Sequence, residues 1–312
     1  MRVLVTGASG FVGRYIVAAL QRAGHEIRTA GFASPNVHFR IGLGADADWS
    51  EAVAGCDAVV HAGGRAHVLN RAAAGSATTF DDVNTDGTIT LARAAVNAGV
   101  SHFVFISSIA AVGEPGTEPL RETDAPHPSP PYGRSKLAAE QGLAALSAQT
   151  GLAVTTLRPP LVYGPDAGGR FRQMLRWCDL HLPLPLAGIR NQRSYLAAEN
   201  LADAVEVCLA RREIAAGVFH LADHGALSTP ELLELIGKGL DKPPRLFAVP
   251  APALGALRAI GLAQPVDKLS QTLLVDASRF SQAFDWQPPI ALRQGIEEAA
   301  RCYRAQKRER GS

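Results

Sequence analysis

The sequence has few cysteines and little net charge, and both shortages exclude classes of protein. Four cysteines, Cys56, Cys178, Cys208 and Cys302, lie far apart in 312 residues without the spacing of metal ligands. We expect buried or incidental thiols in a reducing compartment, and no metal site. The formal net charge is +2, and the basic stretch over residues 301–310 is short. We therefore expect no nucleic-acid partner.

Long apolar runs are also scarce. One run, residues 246–266, approaches the length of a bilayer span, but Pro250, Pro252 and Pro265 interrupt it. These prolines speak against a spanning helix, and the run predicts a short buried helix after a proline-rich turn. The chain begins with an apolar strand where a secreted protein would carry a basic and then apolar leader, so we expect a cytoplasmic protein.

A glycine-rich turn near the beginning is the most informative stretch that is present. The apolar strand Arg2–Val5 leads into TGASGFVG, and apolar residues at helical spacing follow. Glycines allow a tight turn and close approach of the backbone to a pyrophosphate, while the helix start offers N–H groups and a positive dipole end. This context favours a dinucleotide site over an ordinary strand-to-helix turn. The predicted cofactor-binding residues here are Gly7, Ser9, Gly10, Phe11, Val12, Gly13 and Arg14.

The choice between NAD and NADP stays open at the sequence level. An acid at the end of the second strand would hold the ribose hydroxyls of NAD, and an arginine nearby would favour NADP. The second strand is predicted over Glu26–Gly31, and Ala30, Gly31 and Phe32 at its end include neither an acid nor an arginine. Arg14 and Arg28 are candidates for a 2′-phosphate, although an ordinary surface arginine is the commoner explanation.

Strands and helices alternate over the first half of the chain. Strands over Asp57–His61, His102–Ile106 and residues 153–158 predict an α/β fold, a Rossmann-type doubly wound parallel sheet with its ligand at the carboxyl ends of the strands. Small residues after the first of these strands would let a cofactor lie against it: Ala62, Gly63 and Gly64. A helix over residues 80–99 carries Asn84 among its packing positions, where it either braces the backbone or lines the site.

The composition changes beyond Pro165 toward glycine, proline and arginine. We predict a dinucleotide-binding domain over residues 1–165 and about 197–222. A smaller C-terminal substrate lobe would comprise residues of about 166–196 together with 223–312. Within this lobe, Ser228 and Glu231 form the spacing of a capping box and predict a helix start.

Tyr132 and Lys136 are four residues apart at a predicted helix start, so both side chains project from one face. The ammonium, helped by a positively charged nicotinamide, would lower the phenol pKa toward the working range. Ser108, after the preceding strand, would hydrogen-bond the same substrate oxygen. Taken singly, each residue has an ordinary structural explanation, but together they predict a proton relay for interconverting a carbonyl and an alcohol.

These motifs together resemble the extended short-chain dehydrogenase/reductases of the NAD-dependent epimerase/dehydratase family. The matching stretches span most of the chain: TGASGFVG, DAVVH at 57–61, VNTDGT around Asn84, FISSIAAVG, YGRSK at 132–136, LRPPLVYGP and the segment from Arg193 to Asp203. The resemblance assigns Ser108, Tyr132, Lys136 and Asn84 to catalysis. It adds Ser107, Pro159, Tyr132 and Lys136 to the cofactor-binding residues, and it assigns Ser108, Tyr163, Arg193 and Lys268 to the substrate. Arg193 is implied to contact a diphosphate.

Three segments resemble a bacterial surface-polysaccharide subgroup that works on UDP-sugars: residues 61–67, 158–165 and 183–194. The leading reading is an NAD(P)-dependent 4-keto-sugar reductase, with a UDP-hexose 4-epimerase that holds NAD tightly as the alternative. A non-enzymatic NADP-binding redox sensor and an enzyme for an apolar ring ketone are further alternatives. A homodimer is implied by the resemblance alone.

Four positions depart from the family pattern. Gly31 stands where a ribose-binding acid is usual, and Gly42 where an aspartate near the adenine is common. Ala110 replaces a hydroxyl that some epimerases carry. A second phosphate-binding arginine expected near residues 266–270 is missing, with Lys268 as a weaker substitute. The first and third departures favour the reductase slightly.

Overall fold

A parallel sheet of seven strands forms the centre of the protein. The computed structural model describes residues 1–32, 36–65, 80–113, 116–213, 216–249 and 269–311. The strands, in chain order, are β1 (Arg2–Thr6), β2 (Glu26–Gly31), β3 (Phe39–Arg40), β4 (Ala58–His61), β5 (His102–Ile106), β6 (Ala153–Arg158), β7 (Leu161–Tyr163), β8 (Pro183–Leu184), β9 (Tyr195–Ala197), β10 (Gly217–His220) and β11 (Arg245–Leu246). The large sheet has the order β10-β6-β5-β4-β1-β2-β3, while β7 pairs with β9 and β8 with β11.

Helices cover both faces of this sheet and also form a second core beyond it. They are α1 (Phe11–Arg22), α2 (Ser50–Val53), α3 (Gly87–Asn97), α4 (Pro131–Thr150), α5 (Gly169–Asp179), α6 (Ala198–Ala210), α7 (Thr229–Leu240), α8 (Ser278–Phe284) and α9 (Leu292–Gly311). Helices α1 and α6 pack in one core with alternate residues of β1 such as Val3 and Val5. Helices α2, α3 and α4 pack on the other face around Leu4. The predicted doubly wound α/β fold is confirmed.

The continuous apolar runs explain why the central strands form. All residues of β4 and β5 are buried, as expected for strands covered by helices on both faces. The strands predicted at 102–106 and 153–158 have those same bounds, whereas Asp57 lies just before β4. The helix predicted over residues 80–99 begins with a π-helical turn, Asp82–Asp86, and ends as α3.

The order in which strands are added to the sheet reverses at β1, with β2 and β3 on one side and β4, β5, β6 and β10 on the other, and this reversal positions the site. Thr6, the last residue of β1, pairs with Ala30 of β2 on one side and with His61 of β4 on the other. The connections leave in opposite directions, so a crevice opens at the carboxyl ends of β1 and β4. The glycine-rich turn follows Thr6 and therefore lies in that crevice.

A second core lies beyond the sheet and is built from α5, α7, α9 and the small strands. The capping box predicted for α7 is present: the Ser228 hydroxyl accepts from the Glu231 N–H, and the Glu231 carboxylate accepts from the Ser228 N–H at 2.8 Å. Phe280, Phe284 and Trp286 depart from the expected division, since they pack in the core of the large sheet. Phe280 and Phe284 contact Phe219 of β10 edge-on and stack on one another, and Trp286 meets Phe280 edge-on. The lobe boundaries therefore remain a prediction.

Several other sequence predictions can be placed. Cys56, Cys178 and Cys208 are buried and Cys302 is half-buried, all as free thiols. Among the described residues, no helix is both long and apolar enough to cross a bilayer, and no cluster of side chains could hold a metal ion. The helix predicted within 246–266 falls largely on residues outside those described.

Candidate active site

The glycine-rich turn lies directly against the end of β4. Gly7 has a φ of +66°, and a Cβ there would come within 2.7 Å of the Gly63 Cα. A Cβ on Gly13 would lie 2.1 Å from the Gly7 carbonyl oxygen. Both positions therefore need glycine, one for the turn and one for the helix that packs on it. The structure brings together these three predicted cofactor residues.

The start of α1 offers its N–H groups to a ligand. Gly10 caps the helix without a side-chain hydrogen bond, and no acid lies in the first turn. Ser9 and Gly10 are exposed, while Phe11 and Val12 are half-buried. Unpaired N–H groups at a helix start suit a pyrophosphate, so the cradle fits the phosphates of a dinucleotide.

The ends of β2 and β3 lie where a ribose would rest. A Cβ on Gly31 would lie 3.3 Å from the Ser9 hydroxyl oxygen, and Phe32 beside it is 74% exposed. The side chain of Arg28, one candidate for a 2′-phosphate, is directed toward α2, because its Nη1 donates to the carbonyls of Glu51, Ala52 and Ala54. Arg14, the other candidate, is exposed and forms an ion pair with Asp166 at 3.7 Å.

Tyr132 and Ser108 meet at the carboxyl end of β5. Helix α4 begins at Pro131, so Tyr132 lies in its first turn. Ser108 caps a short 3-10 turn by accepting from the Ala110 N–H at 3.2 Å, and its hydroxyl lies close enough to the Tyr132 phenol to lower the phenol pKa. The ring of Phe80 contacts Tyr132 edge-on at 6.2 Å between centroids. The structure therefore brings the two predicted hydroxyls near one another.

Burial decides the charge state of Tyr132. Burial raises the pKa of the Tyr132 phenol, and the hydrogen bond with Ser108 opposes this rise. In the protein without a bound nicotinamide, Lys136 does not contribute to this shift; its Nζ donates to the Ile106 carbonyl at 2.9 Å and lies over the Phe105 ring. Tyr132 is therefore protonated at neutral pH and can donate a proton. The lowering predicted for the enzyme with bound nicotinamide stays a prediction.

Lys136 is buried between α4 and the sheet. Burial lowers the pKa of Lys136 to about 8, and the charge of Glu140 opposes that decrease. His61 lies nearby with its pKa lowered to about 3 by burial, and it bonds Thr6 and Thr88. A Cβ on Gly64 would come within 3.4 Å of the Lys136 Nζ. The absence of a side chain at Gly64 therefore leaves room for the lysine ammonium.

Asn84 braces the backbone, which was one of the two expected roles. Its amide nitrogen donates to the Arg65 carbonyl at 3.1 Å and to the Ser135 hydroxyl at 3.0 Å. Its oxygen accepts from the Arg65 N–H at 2.8 Å. Asn84 is 1% exposed and lies in the π-helical turn. Every polar atom of the amide has a protein partner, which favours the bracing role, and the catalytic assignment stays a prediction.

Two further predicted cofactor residues, Ser107 and Pro159, form hydrogen bonds within the protein. The Ser107 hydroxyl donates to the buried carboxylate of Glu140. The Pro159 carbonyl accepts from the Ile109 N–H at 2.9 Å, and both Ser107 and Pro159 are buried. Their contribution is to hold the loop that carries Ser108. Ala62 donates its N–H to the Thr6 carbonyl and lies half-buried at the end of β4.

Besides Ser108, three residues were predicted to bind the substrate, and their surroundings differ. Arg193 is half-buried in the second lobe, and its Nη1 donates to the Gln271 carbonyl at 2.8 Å. Tyr163 is 1% exposed and donates its hydroxyl to Asp223 at 2.8 Å, so it does not face a ligand and its assignment is corrected. Lys268 lies outside the described residues.

Comparisons with known proteins agree with this geometry. The sequence profile of the NAD dependent epimerase/dehydratase family matches residues 3–222. The chain belongs to this family. A UDP-glucose 4-epimerase of Vibrio cholerae is 33% identical, over 96% of this chain and 95% of that protein. The present chain is thus an NAD-dependent enzyme of the extended short-chain dehydrogenase/reductases.

Solved structures share the fold. A UDP-N-acetylglucosamine 4-epimerase from Bacillus cereus superposes with a TM-score of 0.80 at 21% identity, covering 97% of this chain and 99% of that one. A UDP-glucose 4-epimerase from Thermus thermophilus in complex with NAD gives 0.77 at 24% identity with the same coverages. In a family that uses NAD, the glycine cradle and the unpaired helix start are the groups that would hold the pyrophosphate.

The sequence analysis missed several buried polar residues of this family member. Glu140 and Arg158 form an ion pair at 2.5 Å. Asp223 accepts from Tyr163, from Asn200 and from the Ala197 N–H. The sequence contains one indication of Glu140, because Glu140 follows Lys136 by four residues and so shares its face of α4. Nothing in the neighbouring sequence indicates the bonds that Asp223 forms.

Proposed function

We propose that this enzyme is a UDP-hexose 4-epimerase that keeps its NAD tightly bound. The likeness to the Vibrio cholerae UDP-glucose 4-epimerase along nearly the whole of both chains supports it. The observation that carries the proposal is the contact of the Ser108 hydroxyl with the Tyr132 phenol beside a buried lysine. Two hydroxyls at one point bind one substrate oxygen, which is what oxidation and reduction at a single carbon requires.

Each residue has a distinct task in this reaction. Tyr132 exchanges a proton with the oxygen at C4 of the sugar, and Ser108 hydrogen-bonds that same oxygen. Bound NAD would supply the hydride acceptor and, in the return step, the hydride donor. The Lys136 ammonium would favour the phenolate during proton removal.

Arg193 would hold the other end of the substrate. Its guanidinium offers five donors, of which the Gln271 carbonyl takes one. Burial lowers the pKa of Arg193, Tyr195 opposes that decrease, and the positive charge of Arg170 adds to it, although the group stays charged at neutral pH. A half-buried guanidinium with an exposed second arginine acting on it favours binding of a diphosphate.

The test is conversion without added reductant. Purified protein is incubated with UDP-glucose alone, and proton NMR of the sugar follows the appearance of UDP-galactose. We expect conversion by the natural protein and none by Tyr132→Phe, with Tyr303→Phe in α9 as a matched control. Absence of conversion with UDP-glucose and UDP-N-acetylglucosamine alike would overturn the proposal.

A 4-keto-sugar reductase is the second candidate, and two observations favour it. Gly31 provides no carboxylate for the ribose of NAD, and the protonated Tyr132 is ready to donate a proton to a ketone. This enzyme would need NADPH or NADH in every turnover. Stoichiometric oxidation of added NADPH by a UDP-4-keto-6-deoxy sugar, with no epimerisation of UDP-glucose, would select it. Retention of activity in vivo by Tyr132→Phe would instead favour a redox sensor.

A further inference from the structure

A buried ion pair lies behind the Tyr132 and Ser108 hydroxyls and joins α4 to β6. The Arg158 Nε donates to the two carboxylate oxygens of Glu140 at 3.0 and 3.1 Å, and its Nη2 donates at 2.5 Å. The side chains of Arg158 and Glu140 are only 7% and 5% exposed. Removing two charges from water is costly, and the cost is offset only by close geometry and further hydrogen bonds.

The same carboxylate also fixes the end of β5. The Ser107 hydroxyl donates to Glu140, while the Lys136 Nζ donates to the carbonyl of the preceding residue, Ile106. Tyr132 meets Ser108, the next residue along. Successive turns of α4 therefore hold three consecutive residues of the chain, and Glu140 holds the middle one.

We propose that Glu140, held in place by Arg158, is a positioning residue for the catalytic pair Tyr132 and Lys136. Its carboxylate fixes the strand end that carries Ser108, and it presents a negative charge to the Lys136 ammonium from one helical turn away. The proposal rests on the proposed function for the roles of Tyr132 and Lys136. It adds a residue that touches neither substrate nor cofactor.

The charged groups around Lys136 make Glu140 decisive. From β4, His61 faces the lysine and is neutral, since burial lowers its pKa to about 3. Burial lowers the pKa of Lys136 to about 8, and among the described residues the carboxylate that raises it is Glu140. Behind Glu140, the charged Arg158 lies 3.5 Å from His220 of β10. The backbone N–H of His220 donates to the Glu122 carboxylate at 2.7 Å.

The experiment reads the charge of Lys136 directly. The chain has five lysines, so protein labelled with ¹³C at the lysine Cε gives few signals, and Lys136→Met identifies the one of interest. The labelled full-length protein is titrated by NMR without substrate. In Glu140→Gln, which keeps the shape of the side chain, we expect the Lys136 pKa to fall by about one unit or more.

Two variants separate positioning from simple stabilisation. Glu140→Gln with Arg158→Met removes both charges, so it avoids an unpaired buried arginine and should fold where the single variant is unstable. We expect its Lys136 pKa to stay below that of the natural protein. Glu297→Gln removes a carboxylate from the exposed Lys238, 2.8 Å away, and should leave the Lys136 signal unchanged.

The outcomes decide the proposal independently of the substrate. An unchanged Lys136 pKa in both Glu140 variants would overturn it and leave the ion pair a purely structural element. A lowered pKa supports it, and the high-pH limb of the activity profile should move to lower pH by the same amount. If the pKa falls in a protein that converts no UDP-sugar, the proposed function fails while the electrostatic role of Glu140 stands.

Discussion

Tyr132 and Tyr163 lie in the two regions of the molecule that sequence motifs had assigned to the site, and their surroundings differ. Tyr132 is half-buried, and its hydroxyl meets a serine at the open end of a strand. Tyr163 is 1% exposed, and its hydroxyl donates to the buried Asp223. The partner of the phenol, more than the motif around it, decides whether a tyrosine can do chemistry.

The largest effect expected from this contrast is on catalysis. Tyr132→Phe should lower kcat by about 10²- to 10⁴-fold, the usual contribution of a positioned acid or base. Tyr163→Phe should leave kcat unchanged. Steady-state rates of both variants with UDP-glucose check the comparison. Equal losses would mean that the two phenols have similar roles, and the contrast would fail.

A smaller effect is expected where the second lobe meets the substrate. Arg193→Ala should raise KM for UDP-glucose by about 10- to 100-fold, since a hydrogen bond to a charged group contributes about 1.5–3 kcal/mol. Calorimetric titration with UDP measures the same loss without turnover. Arg190→Ala, which changes an exposed arginine of the same segment, serves as the control. Equal losses in both variants would indicate a general effect of charge.

The cofactor region allows a gain of selectivity. Gly31→Asp should shift the ratio of affinities toward NAD and away from NADP by about tenfold, which corresponds to about 1.4 kcal/mol. A carboxylate there would accept from the ribose hydroxyls and repel a 2′-phosphate. The Ser9 side chain, 3.3 Å from the added Cβ, must turn slightly. An unchanged ratio in calorimetric titrations would show that the ribose lies elsewhere.

The smallest effect concerns stability in the second lobe. Tyr163→Phe should lower the free energy of unfolding by about 1–2 kcal/mol, because one donor to a buried carboxylate is lost. Asp223 keeps its bonds from Asn200 and from the Ala197 N–H. Urea denaturation of the variant and of Tyr132→Phe measures the difference. A more stable Tyr163→Phe would contradict the assigned role.

The features that could be predicted from the sequence are those that depend on residues close together in the chain. The turn at Gly7 and Gly13 and the apolar run of β5 each depend on neighbouring residues, and both were predicted correctly. The resemblance assigns Tyr163 and Ser107 to ligands, and their protein partners were missed because those partners are distant in sequence. Asp223 lies 60 residues from Tyr163, and Glu140 lies 33 from Ser107. Only the folded chain shows that these hydroxyls are already bound.

The central claim is that Tyr132, Ser108 and Lys136 handle the proton and the oxygen at C4, while bound NAD would take the hydride from C4 and return it to the same carbon. The most direct test uses UDP-glucose deuterated at C4, with purified protein and no added nicotinamide reductant. NMR and mass spectrometry then locate the label in the product. We predict UDP-galactose with deuterium retained at C4. Loss of the label, or no galactose at all, would contradict the account.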